Sequence, residues 1–142
     1  MKSFMELGVN AALVDASVWI AYFDANDALY QKAQSVIDAK ENHTLILTDY
    51  VLQEVITVFL YKKQPSLIEE LLNTLQKENV EIVSVENFFL TSILKFIKHF
   101  RYKPKMSLTD WSLLSLAIEF GFPLLTFDKQ LLNTHLRLTG QS

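Results

Sequence analysis

The sequence contains no cysteine among its 142 residues. This absence excludes disulfides, thiolate-bound metals and cysteine nucleophiles, and it fits a reducing compartment. Glycine and proline are also scarce, with three of each, so no linker rich in these residues divides the chain. We therefore expect a single domain over residues 1–142.

Long apolar runs and an excess of positive charge are missing as well. No apolar run reaches the roughly 18–20 residues that a membrane-spanning helix requires, and the first ten residues, "MKSFMELGVN", lack the apolar core of a secretory signal. Thirteen basic against sixteen acidic residues give a net charge of −3. No general positive field therefore indicates a nucleic-acid partner, although local basic patches are still possible. The default expectation is a cytoplasmic protein without a membrane segment.

What the sequence does contain is an alternation of short strand-like runs with helical stretches. Such alternation predicts βαβ units and a parallel sheet, here of four to five strands, covered by helices on both faces. Strands are predicted at 12–14, 43–48, 80–85 and 123–127, with "LRLTG" at 136–140 as a marginal fifth. Helices are predicted at 17–23, 27–40, 49–62, 66–78, 87–100 and 108–120.

Four acidic residues stand where the apolar pattern predicts a core or a strand end. Asp15 ends the first strand in "LVDASVWI", and Asp128 follows the strand "PLLTF". Because parallel strands end at one edge of the sheet, where ligands gather, these two carboxylates are expected to meet. Glu54 and Asp110 lie on helices, at positions that share a face with apolar residues. We expect all four to point inward or toward this edge.

Each acid alone has an ordinary explanation. An Asp after a strand is often a turn former or helix cap, and Asp110 suits the first turn of a helix. Glu54, in the middle of an apolar stripe, is harder to explain in this way. Together, four such carboxylates require a partner, because unpaired buried charge is costly. Oxygen-only ligands favour one or two Mg²⁺ or Mn²⁺ ions over Zn²⁺.

The ordered set of these motifs resembles the PIN-domain family of metal-dependent nucleases. The resemblance rests on "LVDASVWI", "TDYVLQEV" and "MSLTDWSLLSLAIEFGFPLLTFDKQL", and it covers about residues 12–133. It implies a PIN-like fold, a three-layer α/β/α sandwich with a central parallel sheet. It also implies that the family's metal-binding catalytic acids correspond to Asp15, Glu54, Asp110 and Asp128. Ser17 matches the family's small hydroxyl residue, and Thr126 its usual threonine, which would orient the last acid.

The function that the resemblance implies is Mg²⁺- or Mn²⁺-dependent endoribonuclease activity on RNA. In size the chain looks most like the toxin halves of VapBC-type toxin–antitoxin pairs, so a small antitoxin protein is an expected partner. Such toxins begin almost at their first strand, whereas here about ten residues precede it, and we expect residues 1–10 to form an N-terminal extension.

A basic segment directly upstream of Asp110 is a candidate RNA contact, because an acidic pocket needs cations to hold the phosphate backbone. In "KFIKHFRYKPK", residues 95–105, cations alternate with aromatic rings on which a base could stack. The alternative is a solvated helix end whose cations complement the helix dipole. The candidates are Lys98, Arg101, Tyr102, Lys103 and Lys105.

Two other functions are open at this stage. One is a catalytically idle PIN-like protein-interaction domain that keeps a structural metal site. The other is a receiver domain with a phosphate-accepting aspartate, which would need paired acids after the first strand where the chain has only Asp15. The apolar stretch "NFFLTSILKFI" predicts a homodimer or partner face, although an ordinary core helix explains it nearly as well.

Overall fold

The computed structural model describes residue 7 and residues 10–140, without the side chains at positions 87 and 88. The extension expected at residues 1–10 thus lies almost wholly outside the described residues. None of the described helices is long and apolar enough to cross a membrane. The elements are β1 (Ala11–Val14), α1 (Ala16–Phe23), α2 (Tyr30–Asp38), β2 (Thr44–Thr48), α3 (Asp49–Lys62), α4 (Pro65–Leu75), β3 (Val80–Val83), α5 (Asn87–Lys98), α6 (Leu108–Phe120), β4 (Leu124–Leu125) and α7 (Lys129–Thr139).

The strands form one parallel sheet in the order β3-β2-β1-β4. Strand β1 is central, pairing Leu13 with Ile46 of β2 and with Leu124 of β4. All of β1 is buried, as expected for a parallel strand with neighbours on both sides and helices on both faces. The predicted parallel sheet is confirmed, and the helices expected at 49–62 and 108–120 have the same bounds in the structure.

The helices divide into two layers. Helix α1 packs with α2, α3 and α4, whereas α6 packs with α5 and α7. The path of the chain explains this division: β1, β2 and β3 follow one another in one direction across the sheet, and the connection from β3 to β4 runs back. Because connections between parallel strands are right-handed, the two directions place their helices on opposite faces. The predicted α/β/α sandwich is therefore confirmed.

The end of the chain differs from the expectation. The segment 136–140, predicted as a marginal fifth strand, belongs to α7 and its C-terminal cap. This helix begins where the Asp128 carboxylate accepts a hydrogen bond from the backbone N–H of Leu131, at 3.0 Å. Its buried residues, Leu131, Thr134 and His135, recur at helical spacing. The fifth strand was wrong, and the sheet of the described residues has four strands.

Helix α7 can be tested as a part of the core. Leu131 is fully buried, so Leu131→Ala should lower the free energy of unfolding by about 2–5 kcal/mol through lost burial and the cavity left behind. Leu138→Ala, on the same helix but 44% exposed, should cost less than about 0.5 kcal/mol. Urea denaturation of both variants measures the difference. Equal effects would show that α7 does not pack on the domain as described.

Candidate functional site

Asp15 is the most buried of the four predicted acids, with 3% of its surface exposed. It is the N-cap of α1, directly after β1. Its Oδ1 accepts a hydrogen bond from the backbone N–H of Ala16 at 2.8 Å, and its Oδ2 accepts from Ser17 Oγ and Thr126 Oγ1, both at 2.8 Å. Three donors therefore offset the cost of burying this carboxylate.

The two hydroxyl groups also connect Asp15 to the chain beyond β4. Ser17 Oγ accepts a hydrogen bond from the backbone N–H of Phe127, and Thr126 Oγ1 accepts from that of Asp128, both at 3.0 Å. Each hydroxyl thus donates to one strand end and accepts from the other. Thr126 was predicted to orient the last acid, and in the structure it bonds both the first carboxylate and the backbone of the last. The roles of Ser17 and Thr126 in catalysis remain predictions.

Asp110 is the third residue of α6 and lies in its first turn. Its backbone N–H donates to the N-cap hydroxyl of Ser107 at 3.1 Å. The pKa of its carboxyl is raised from 3.8 to about 6. Burial is the largest cause, followed by the negative charges of Asp15, Asp128 and Glu54, while a side-chain hydrogen bond with Ser107 lowers the pKa. The fold therefore brings all four predicted acids within electrostatic reach of one another.

Glu54 lies at the rim of this group and not inside it. The sequence pattern predicted an inward side chain, but the residue is exposed, whereas Val51 and Val55 beside it are buried. The pKa of its carboxyl is nevertheless raised, first by partial burial and then by the charge of Asp15. The expectation of a buried Glu54 was wrong in depth, although the carboxyl still senses the site.

The chemistry of these donors fits a hard divalent cation. All are carboxylates, the ligand type that Mg²⁺ and Mn²⁺ prefer. A carboxylate has about four lone-pair sites; Asp15 uses three, which leaves one on Oδ1, and Asp128 Oδ1 caps α7. Among the described residues, no three His, Cys, Asp or Glu side chains already stand at metal-binding spacing. The side chains that would hold such an ion are those of Asp15, Glu54, Asp110 and Asp128.

The predicted RNA contacts lie at the end of α5 and in residues 99–107, which lead into α6 and are called the basic loop below. Lys98 ends α5, and Lys103 Nζ donates to the backbone oxygen of Phe100 at 3.1 Å. The guanidinium of Arg101 stands 5.8 Å from the ring centre of Tyr102, whose side chain is 83% exposed. All five predicted residues are exposed: Lys98, Arg101, Tyr102, Lys103 and Lys105.

Aromatic packing fixes this loop beside the acids. The ring of Phe100 lies 4.9 Å from Trp111 and 5.1 Å from Phe96, edge to face in both cases. Trp111 is buried and follows Asp110 directly in the first turn of α6. The basic loop is thereby attached to the turn that carries the most strongly shifted carboxyl.

Two buried or partly buried acids outside this group have structural partners. Asp24, at the C-cap of α1, is 3% exposed and forms a salt bridge of 2.7 Å with Lys62; the hydrogen bond from Lys62 is the main reason that its pKa is lowered. The carboxylate of Asp49 accepts from the backbone N–H of Val85 at 2.9 Å and so ties α3 to the end of β3. Neither acid is available to the site.

Sequence reasoning missed one cation near the site. The ammonium of Lys32, on α2, lies 5.3 Å from the ring centre of Phe127, the residue between Thr126 and Asp128. This contact between Lys32 and Phe127 joins distant parts of the chain and corresponds to no sequence motif, so only the folded structure reveals it.

The predicted partner face on α5 is largely core. Phe89 and Ile93 are buried, and Leu94, 56% exposed, points outward. A homodimer through this helix remains a prediction.

Comparison with known proteins bears on the family and the fold. A model of the PIN domain matches residues 12–135. The crystal structure of VapC20 from Mycobacterium tuberculosis, described as a sarcin–ricin loop cleaving toxin, superposes with a TM-score of 0.75. The two share 17% sequence identity over 87% of this chain and 94% of that one, a level at which the likeness concerns the fold. No curated protein sequence matches the chain.

The raised pKa of Asp110 predicts the effect of its removal on stability without metal. Because this pKa is higher in the folded chain, the folded state gains stability below pH 3.8 and loses it as the pH rises through about 6. Asp110→Asn removes that loss. After allowance for solvent screening, we expect a gain of about 1 kcal/mol at pH 7, or about 2–4 °C in Tm, measured by thermal denaturation in EDTA.

The matched control is Asp24→Asn, which removes a charge that is already paired and should lower Tm. A clear loss of stability in Asp110→Asn at pH 7 would mean that this carboxylate forms structural hydrogen bonds and is not repelled by its neighbours.

Proposed function

The chain belongs to the PIN domain family, and from this premise we propose that it is a Mg²⁺- or Mn²⁺-dependent endoribonuclease, the toxin of a toxin–antitoxin pair. The observation that carries the proposal is the convergence of four carboxylates from distant parts of the chain, three of which, together with burial, raise the pKa of Asp110 to about 6. Clustered acids with strongly perturbed pKa values are typical of functional sites.

The four acids have distinct tasks in this proposal. Asp15 and Asp110 are the first ligands, and Asp128 and Glu54 complete the coordination directly or through water. A bound ion would supply Lewis acidity, lowering the pKa of a water molecule and stabilising charge on the leaving oxygen. Ser17 and Thr126 hold Oδ2 of Asp15, so that the remaining lone pair of Oδ1 faces a defined direction.

RNA is the proposed substrate, and the basic loop is its proposed binding surface. A group of four carboxylates repels phosphates, so binding depends on cations at the rim. The loop supplies exposed cations beside Tyr102, and the contact of Phe100 with Trp111 holds it next to Asp110. Phosphates bound there would bring the adjoining backbone to the acids.

The toxin role is supported by the likeness to VapC20, which spans nearly the whole of both chains. By analogy we propose a structured ribosomal RNA element as the first substrate to test and a small antitoxin as the partner. Activity in the cytoplasm and a homodimer are parts of the same proposal. A catalytically idle interaction domain is the alternative that experiment must exclude.

Removal of a metal-binding carboxylate should abolish cleavage. We expect Asp15→Asn and Asp110→Asn each to reduce Mn²⁺-dependent cleavage by at least about 100-fold, because each change removes a ligand and a negative charge from the site. Cleavage is followed on total RNA and on a sarcin–ricin loop oligonucleotide, with and without EDTA. Asp27→Asn, at an exposed turn where Asp27 Oδ1 accepts from the backbone of Leu29, is the control.

Two results would oppose the nuclease assignment. Cleavage that survives both substitutions would come from other residues or a contaminant. A folded wild type that binds Mn²⁺ but cuts neither RNA would favour the idle interaction domain.

The basic loop gives a separate prediction for affinity. Arg101→Ala and Lys105→Ala should each weaken RNA binding several-fold and reduce the slope of log K against log salt concentration by about 0.7–0.9, the value for one lost phosphate contact. Lys77→Ala is the control. Lys77 is exposed and precedes β3, so it lies at the amino ends of the strands, whereas the acids lie at the carboxyl ends. Identical salt slopes for all three variants would show that the basic loop is not part of the RNA-binding surface.

A further inference from the structure

Lys32 occupies an unusual position for an exposed lysine. It lies in the first turn of α2, and its Nζ stands 5.3 Å from the centre of the Phe127 ring. Helix α2 is fixed to α1 by the buried side chains of Ala33 and Ile37 and by a hydrogen bond of 2.8 Å from Gln34 Nε2 to the backbone oxygen of Tyr22. The ammonium is therefore held near Phe127 by a packed helix and by a cation–π contact.

Phe127 belongs to the segment that builds the acidic site. Its backbone N–H donates to Ser17 Oγ, which in turn donates to Asp15 Oδ2. Asp128 follows it directly, and Thr126 precedes it. The contact with Phe127 thus places a positive charge beside the segment that joins Thr126 to Asp128, on the helical layer opposite that of α6 and the basic loop.

The positive charge of Lys32 has no carboxylate partner within the described part of the chain. Lys62 and Asp24 form a salt bridge of 2.7 Å, whereas Lys32 makes no contact of this kind with a described carboxylate. An exposed ammonium that rests on a ring and pairs with no described carboxylate remains free to bind an incoming anion.

We propose that Lys32, supported by the ring of Phe127, binds a backbone phosphate of the RNA on the side of the site away from the basic loop. The inference rests on the nuclease function proposed above and adds a second, independent contact to it. The substrate would then be held on both flanks of the acids, by α2 on one layer and by the loop before α6 on the other.

The experiment compares RNA affinity across a range of salt concentrations. Every protein carries Asp110→Asn to prevent cleavage, and binding of a fluorescein-labelled sarcin–ricin loop oligonucleotide is followed by anisotropy. Lys32→Ala should raise Kd about 3–10-fold near 0.1 M salt and reduce the salt slope by about 0.7–0.9. Lys32→Arg should restore both, and Phe127→Leu should give an intermediate Kd because the ammonium loses its support.

Lys77→Ala is the matched control, since it removes one exposed cation at the amino ends of the strands. The salt slope reports a phosphate contact, and a merely structural lysine would change Tm without changing that slope. Equal slopes and Kd values for Lys32→Ala and Lys77→Ala would overturn the inference while leaving the nuclease proposal intact. A wild type that neither binds nor cuts RNA would overturn the proposed function itself.

Discussion

The hydrogen bonds around the Asp15 carboxylate are the constraint on which the site depends. One donor is the backbone of the helix that Asp15 caps, and the others are the hydroxyls of Ser17 and Thr126. Thr126 lies 111 residues further along the chain, so this arrangement exists only after β4 has paired with β1. The direction of the first acid is therefore set by the completed fold. In return, the same hydroxyls accept from the backbone beyond β4, so that satisfying one buried carboxylate also fixes the segment that carries the last acid.

Three acids of this chain illustrate three ways of accommodating negative charge. Asp24 is neutralised by Lys62, and Asp15 is stabilised by hydrogen bonds. For Asp110 the hydrogen bond with Ser107 does not offset burial and the negative charges of its neighbours, so its pKa rises to about 6. A fold that provides a lysine for one acid and hydroxyls for another is able to neutralise acids where structure alone requires it. The raised pKa therefore distinguishes Asp110 as the candidate functional acid among the three.

The sequence is sufficient to predict much of this and insufficient for the rest, for identifiable reasons. Asp15 and Asp128 end adjacent strands, and parallel topology brings such ends together whatever the details. Helical periodicity gives the face on which Glu54 lies but not its depth, and so its exposure was not foreseen. Helix α7 was missed because residues 136–140 were interpreted as a strand, although Asp128 had been recognised as a possible helix cap, and its Oδ1 does cap α7. The contact of Lys32 with Phe127 follows no spacing at all.

The same topology suggests how a chain of net charge −3 would hold the RNA substrate proposed for it. Glu54 and Asp110 stand on opposite helical layers and meet only at the carboxyl edge of the sheet. The cations follow this division, with Lys32 on the layer of α1–α4 and the basic loop on the layer of α5–α7. Screening at physiological salt limits the reach of exposed charges to about 8–10 Å, so these flanking cations count for more than the overall charge. A strand of RNA that contacts both flanks must cross the sheet edge, and the acids lie along that crossing.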